Sequence, residues 1–143
     1  MKLKKKIIFI DMDGVLANFE GGLKEIVQDP PEMWEPGFFR NLEVMPGAKE
    51  AVEALIANPK YKVYIGSKHF SGTDYCASEK MGWLRENFPK LIKRVVLVCD
   101  KKLLRGDYLI DDDLRWKDFE GEFIHFNKHK PKEQWEEILE YLK

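Results

Sequence analysis

Two carboxylates one residue apart, Asp11 and Asp13, follow directly on the apolar run Ile7-Ile8-Phe9-Ile10, and Gly14 comes next. A short continuous apolar run of this kind reads as a buried strand. Acids at its carboxyl end stand where open α/β sheets hold their ligands. Three further groups of polar residues end apolar runs. They are Ser67-Lys68 after Tyr61 to Gly66, Lys101 after Arg94 to Cys99, and Asp111-Asp112 after Tyr108 to Ile110. Four strand ends of a parallel sheet meet at one edge, so these residues are expected to converge.

Several carboxylates at one edge repel one another unless a cation lies between them. Oxygen donors without a His/Cys cluster suit Mg2+, which takes one or two carboxylates and completes its shell with water and substrate phosphate. A lysine and a hydroxyl nearby would bind the remaining phosphate oxygens. This set fits phosphoryl transfer, with Asp11 as nucleophile and Asp13 as general acid and base. Lys101 competes with the adjacent Lys102 for the phosphate-binding role.

The elements that must position these residues alternate along the chain. Strands are expected over Lys6–Met12, Tyr61–Ser67, Arg94–Cys99, Tyr108–Ile110 and Glu122–Phe126. Apolar residues at helical spacing predict helices over Val15–Gln28, Ala48–Ala57, Asp74–Phe88 and Pro131–Leu142. Gly21-Gly22 weakens the first of these, and Asp29-Pro30-Pro31 ends it. Pro30 to Leu42 is irregular and aromatic, with Trp34, Phe38 and Phe39. It is either a small cap over the site or a loop pinned to the core. The pattern predicts a single α/β domain over 1–143, a three-layer Rossmann-like parallel sheet of about five strands with helices on both faces, carrying a short cap insert at 20–44.

A chain of 143 residues suits one domain. A formal net charge of -1 offers no electrostatic case for a nucleic-acid or membrane partner. The basic cluster Lys2, Lys4, Lys5, Lys6 precedes an apolar run too short for a secretion signal, which points to the cytoplasm. Cys76 and Cys99 have no metal or redox spacing and read as free thiols.

Asp11-Met12-Asp13-Gly14-Val15-Leu16 resembles the first motif of the haloacid dehalogenase superfamily of phosphatases, and Ser67, Lys101 and Asp111-Asp112 follow in that family's order. The match is closer to one branch, the 5'(3')-deoxyribonucleotidases. It runs through Ala17-Asn18-Phe19, Met45-Pro46-Gly47-Ala48, Glu79-Lys80 with Trp83, Asp100-Lys101 and Leu109-Ile110-Asp111-Asp112. The resemblance implies a Mg2+-dependent phosphomonoesterase of (deoxy)nucleoside monophosphates that works through an aspartyl phosphate. It implies that Asp11, the Asp13 carbonyl and Asp112 hold the metal, with Asp111 in support. It further implies that Ser67 and Lys101 bind phosphate, and that Phe19 lines the nucleoside side; Lys68, a departure from the family pattern, puts a further positive charge next to the phosphate site as a candidate phosphate contact. Lys80 reads as a surface residue by helical pattern, and the resemblance makes it a partner of the acidic pair.

The chain departs from that branch in three places. Asn18 stands where the family usually has an acid, and Ser67-Lys68-His69 replaces Thr-Ser-Pro. The cap is much shorter. A phosphatase of another small phosphomonoester, such as a sugar phosphate, is the alternative enzyme. A phospho-receiver would place its acids in a different order, and an inactive binding module would not retain every catalytic residue type. A short cap could be completed by a second copy of the chain, so a homodimer over Trp34 and Phe38 is expected.

Overall fold

A computed structural model describes residues 4–28 and 30–143. Lys2 and Asp29, which the sequence reading used in the basic cluster and the helix stop, lie outside the described residues. Five parallel strands form one sheet: β1 (Lys6–Ile10), β2 (Tyr61–Lys68), β3 (Val95–Val98), β4 (Tyr108–Asp111) and β5 (Glu122–His125), in the order β3-β2-β1-β4-β5. Ile8 and Ile10 of the central strand pair with Val63 and Ile65 on one side and with Tyr108 and Ile110 on the other. Full burial on both sides accounts for the unbroken apolar run of β1.

Helices α1 (Ala48–Ala57), α2 (Cys76–Asn87) and α3 (Pro131–Tyr141) follow closely the spans read from periodicity. Each places its buried stripe in a single large cluster with Ile8, Ile10, Val63 and Ile65: Ala51, Val52 and Leu55 from α1, Trp83 and Leu84 from α2, and Trp135 and Ile138 from α3. The opposite face of the sheet carries Phe9, Leu109, Tyr64 and Phe123. It is covered by Leu104, Trp116 and Phe119. These come from the connections at 99–107 and 112–121, which hold the 3-10 turns Lys101–Leu103 and Leu114–Trp116. A full helical crossover needs about a dozen residues or more, so these connections are too short for one, and that cover consists of turns rather than the expected helices.

The expected helix over Val15–Gln28 does not form. The Met12 carbonyl accepts the N–H groups of Val15, Leu16 and Ala17, and Gly14 N–H donates to the Ala17 carbonyl, closing a tight loop. Gly14 makes this possible with φ +87°. Val15, Leu16 and Ala17 are wholly buried, whereas Ile26 is 72% exposed. The apolar spacing therefore records a loop plugged into the core, followed by a solvated stretch. A 3-10 turn, Glu20–Gly22, is the one helical element there, with Asn18 Oδ1 accepting the Gly21 N–H. Ala17 bridges antiparallel to Val44, and Met45 N–H donates to the Leu16 carbonyl. Residues 18 to 43 thus leave and rejoin the core at one point.

Candidate active site

The residues singled out in the sequence meet at the carboxyl edge of the sheet. Asp11 follows β1, Asp111 ends β4 with Asp112 after it, Ser67 and Lys68 end β2, and Lys101 opens the 3-10 turn after β3. One carboxylate oxygen each from Asp11, Asp111 and Asp112 lies within 4.8 Å of the others. Lys101 is buried between two of them, its Nζ 2.6 Å from Asp11 Oδ1 and 2.5 Å from Asp111 Oδ2. Lys102 is exposed, so of the two neighbouring lysines Lys101 is the one that faces the carboxylates.

Burial first, then the adjacent Asp111 charge, push the Asp11 carboxyl up to about 7 against the pull of Lys101. Asp112 is likewise pushed up to about 7 by burial and then by the charge and hydrogen bond of Asp11. Burial also raises Asp111, with Lys101 opposing it. Burial alone would lower Lys101, but Asp11 and Asp111 outweigh it and hold the ammonium above the ordinary lysine range. The cluster therefore holds more negative charge than Lys101 can neutralise. A divalent cation between Asp11 and Asp112 would supply what is missing, and three converging carboxylate oxygens are the donors that a hard cation takes. A Cβ at Gly14 would lie 2.5 Å from Asp112 Oδ2, so the glycine leaves room for this carboxylate.

Asp13 is not a member of that cluster. Its Oδ2 accepts from Lys80 Nζ at 2.8 Å, while its Oδ1 is buried with no partner among the described residues. Lys80 is 1% exposed and also donates to Ser67 Oγ at 3.0 Å and to the Lys68 carbonyl at 2.7 Å. Two expectations are corrected here. Lys80 is not at the surface, because it occupies the stripe of α2 shared by Cys76, Trp83 and Leu84. Its partner is Asp13 rather than the Asp111-Asp112 pair.

A cleft of about 450 Å³ opens over these groups. Phe19, Met33, Phe39 and Phe70 supply an apolar wall, and Lys68 and His69 stand on the polar side. Lys68 is exposed, and no ion pair holds it among the described residues. Phe19 meets Phe38 edge-on at 5.5 Å, and Phe38 meets Phe39 edge-on at 5.1 Å.

Sequence reasoning missed Lys128. Its Nζ lies 2.7 Å from Glu20 Oε1 and 3.5 Å from Asp112 Oδ2. His125 Nε2 is 3.2 Å from the Asp112 carbonyl. His125 ends β5 and Lys128 follows three residues later, so the strand-end rule extended to β5 points to both.

A family model described as 5' nucleotidase, deoxy (pyrimidine), cytosolic type C protein matches residues 31–138. The chain is 30% identical over 139 residues to the human 5'(3')-deoxyribonucleotidase, cytosolic type, covering 73% of this chain and 69% of that one. It is 31% identical over 179 residues to a putative 5'(3')-deoxyribonucleotidase of Staphylococcus epidermidis, covering 98% and 97%. A solved haloacid dehalogenase-like family hydrolase from Xanthomonas campestris shares the fold, with a TM-score of 0.53 at 15% identity over 89% of this chain and 85% of that one.

Proposed function

Given that the chain belongs to the deoxy (pyrimidine) cytosolic type C 5'-nucleotidase family, we propose that it is a Mg2+-dependent phosphomonoesterase of (deoxy)nucleoside monophosphates. The observation that carries this reading is the meeting of Asp11, Asp111 and Asp112 beside two buried lysines. Asp11 and Asp112, with the Asp13 carbonyl, would hold the ion, and Asp111 would support them through Lys101. Bound there, the ion would neutralise phosphate oxygens and leave Asp11 able to approach the phosphorus.

The chain's own residues then divide the work. An Asp11 carboxylate oxygen forms a bond to phosphorus as the ester P–O bond breaks. Asp13, whose Oδ1 has no other partner, delivers a proton to the leaving alkoxide. Asp13 next takes a proton from water, and that water displaces phosphate from Asp11. Lys101 and Ser67 orient the phosphoryl oxygens, and Lys80 fixes the direction of Asp13. Lys68 adds charge at the rim, and Phe19 faces the nucleoside. Residues 20–44 act as the cap insert and contribute Met33 and Phe39 to the apolar wall of the cleft.

The test is Mg2+-dependent phosphate release from deoxy- and ribonucleoside 5'- and 3'-monophosphates and from sugar phosphates, with Asp11→Asn and Asp13→Asn as controls. Wild-type turnover by Asp11→Asn would refute the nucleophile. A large advantage of sugar phosphates over every nucleotide would favour the second reading, for which the exposed Lys68, in no ion pair among the described residues, speaks. The cytoplasm is the proposed location, in keeping with the human relative's cytosolic type. No described helix is long and apolar enough to cross a membrane. A homodimer is proposed over Trp34, which is 53% exposed, while Phe38 is turned toward Phe19 and Phe39. Elution as a monomer at every concentration would remove that proposal.

A further inference from the structure

Tyr75, Glu79 and Trp83 lie at i, i+4 and i+8 along α2 and its N-terminal boundary, on one face. All three bind the main chain of residues 34–42. Tyr75 hydroxyl donates to the Trp34 carbonyl, and Trp83 Nε1 donates to the Leu42 carbonyl at 2.7 Å. Glu79 differs from the other two. Its Oε2 accepts the Gly37 N–H at 2.8 Å and its Oε1 accepts the Arg40 N–H at 3.2 Å. These two N–H groups bracket Phe38 and Phe39. One carboxylate therefore holds both ends of the turn that carries the aromatic pair, and Gly37 enters that turn at φ +91°.

The next residue of α2 reaches the other way. Lys80 binds Asp13, and its ammonium lies 5.1 Å from the centre of the Phe39 ring. Phe39 thus packs against the cation that orients Asp13, while Glu79 holds the backbone of Phe39 in place. We propose that Glu79 is a positioning residue for the leaving-group side of the substrate. It sets Phe38 and Phe39 against Phe19 and so establishes the preference for phosphomonoesters whose leaving group carries a flat, apolar base. This inference rests on the nucleotidase reading given above.

Glu79→Gln keeps the shape but has one acceptor oxygen where two N–H groups need accepting, and its amide would face a donor. In Glu79→Gln, KM for a pyrimidine deoxynucleoside 5'-monophosphate is expected to rise about tenfold, the scale of one lost charged hydrogen bond. The kcat/KM for ribose 5-phosphate, whose leaving group carries no base, is expected to fall by much less, so the ratio of kcat/KM for the two substrates is the readout. Glu79→Asp keeps both oxygens and is expected to fall between wild type and Glu79→Gln. It also provides the readout if the glutamine variant does not fold. Trp83→Phe loses a bond outside the Phe38-Phe39 turn, so it should lower the melting temperature and leave the preference unchanged. Retention of the nucleotide preference by the folded Glu79 variants would overturn the inference, as would an equal loss of preference in Trp83→Phe. If the wild-type enzyme itself shows no preference over ribose 5-phosphate, the nucleotidase reading fails first and the inference fails with it.

Discussion

At the residue scale, the two acids that open the chain's chemistry have different surroundings. Asp11 shares Lys101 with Asp111, whereas Asp13 has Lys80 and one unpaired oxygen. Asp11→Asn removes the proposed nucleophile, and phosphate release from the best substrate should fall by about a thousandfold or more. Asp13→Asn keeps the proposed nucleophile but cannot exchange a proton at the proposed acid/base, so a loss of about a hundredfold to ten-thousandfold is expected in the same assay. Lys80→Met would leave Asp13 without its cation and Ser67 Oγ without a donor. Thermal unfolding of that variant should show a loss of about 3 kcal/mol or more, as for other buried pairs broken on one side.

At the element scale, the loop between β1 and the segment at 18–43 is shaped by one glycine. Gly14→Ala would combine strain at φ +87° with a Cβ 2.5 Å from Asp112 Oδ2. Gly47, which precedes α1, has φ +82° but no clash: a Cβ there would meet Lys132 Cα at 3.5 Å, an ordinary van der Waals contact. Gly47→Ala should therefore cost only the left-handed strain, about 1 kcal/mol, and leave activity intact. Gly14→Ala should cost more and should also raise the Mg2+ concentration needed for half activity, because Asp112 must move. Melting curves and a Mg2+ titration of both variants separate the two effects. Helix α2 shows how an element can be legible in outline and misjudged in detail. Its span follows from periodicity, yet a lysine on its apolar stripe looked like a surface residue, because the stripe alone cannot disclose that Asp13 waits across the cavity.

At the scale of the whole molecule, the acidic edge makes stability depend on protons and cations. Asp11 and Asp112 hold protons up to about 7 in the folded chain, against an ordinary value of 3.8. The folded state then binds more protons than the unfolded state between those limits. Stability is accordingly full below the unfolded value and is lost as pH rises through the folded one. In chelator, the melting temperature should fall from about pH 5 to about pH 8. Mg2+ should reverse that fall at the higher pH, since a ligand of the folded state stabilises it by mass action. Asp11→Asn should flatten the slope. A metal-free melting temperature that climbs over this range would show that the cluster is not under the electrostatic load described.

The sequence by itself determined the strands, the three long helices and the identity of the acids, hydroxyl and lysine at the strand ends. Those features are local: an apolar run, a helical stripe, and a polar residue where a run stops. It could not determine the path from Val15 to Gln28, because residues buried in a plugged loop and residues along a helix face can share the same spacing. It also could not say which lysine serves which acid. Lys101 and Asp11 stand far apart in the chain and meet at 2.6 Å because the connection from β3, at the sheet edge, to β4 must cross back past β2 and β1. Lys80 with Asp13, Lys128 with Asp112, and Glu79 with the turn that carries Phe39 are likewise products of the sheet order and of one helix face. Such pairings are tertiary facts, since a charge records its own identity along the chain and acquires its partner only when the chain has folded.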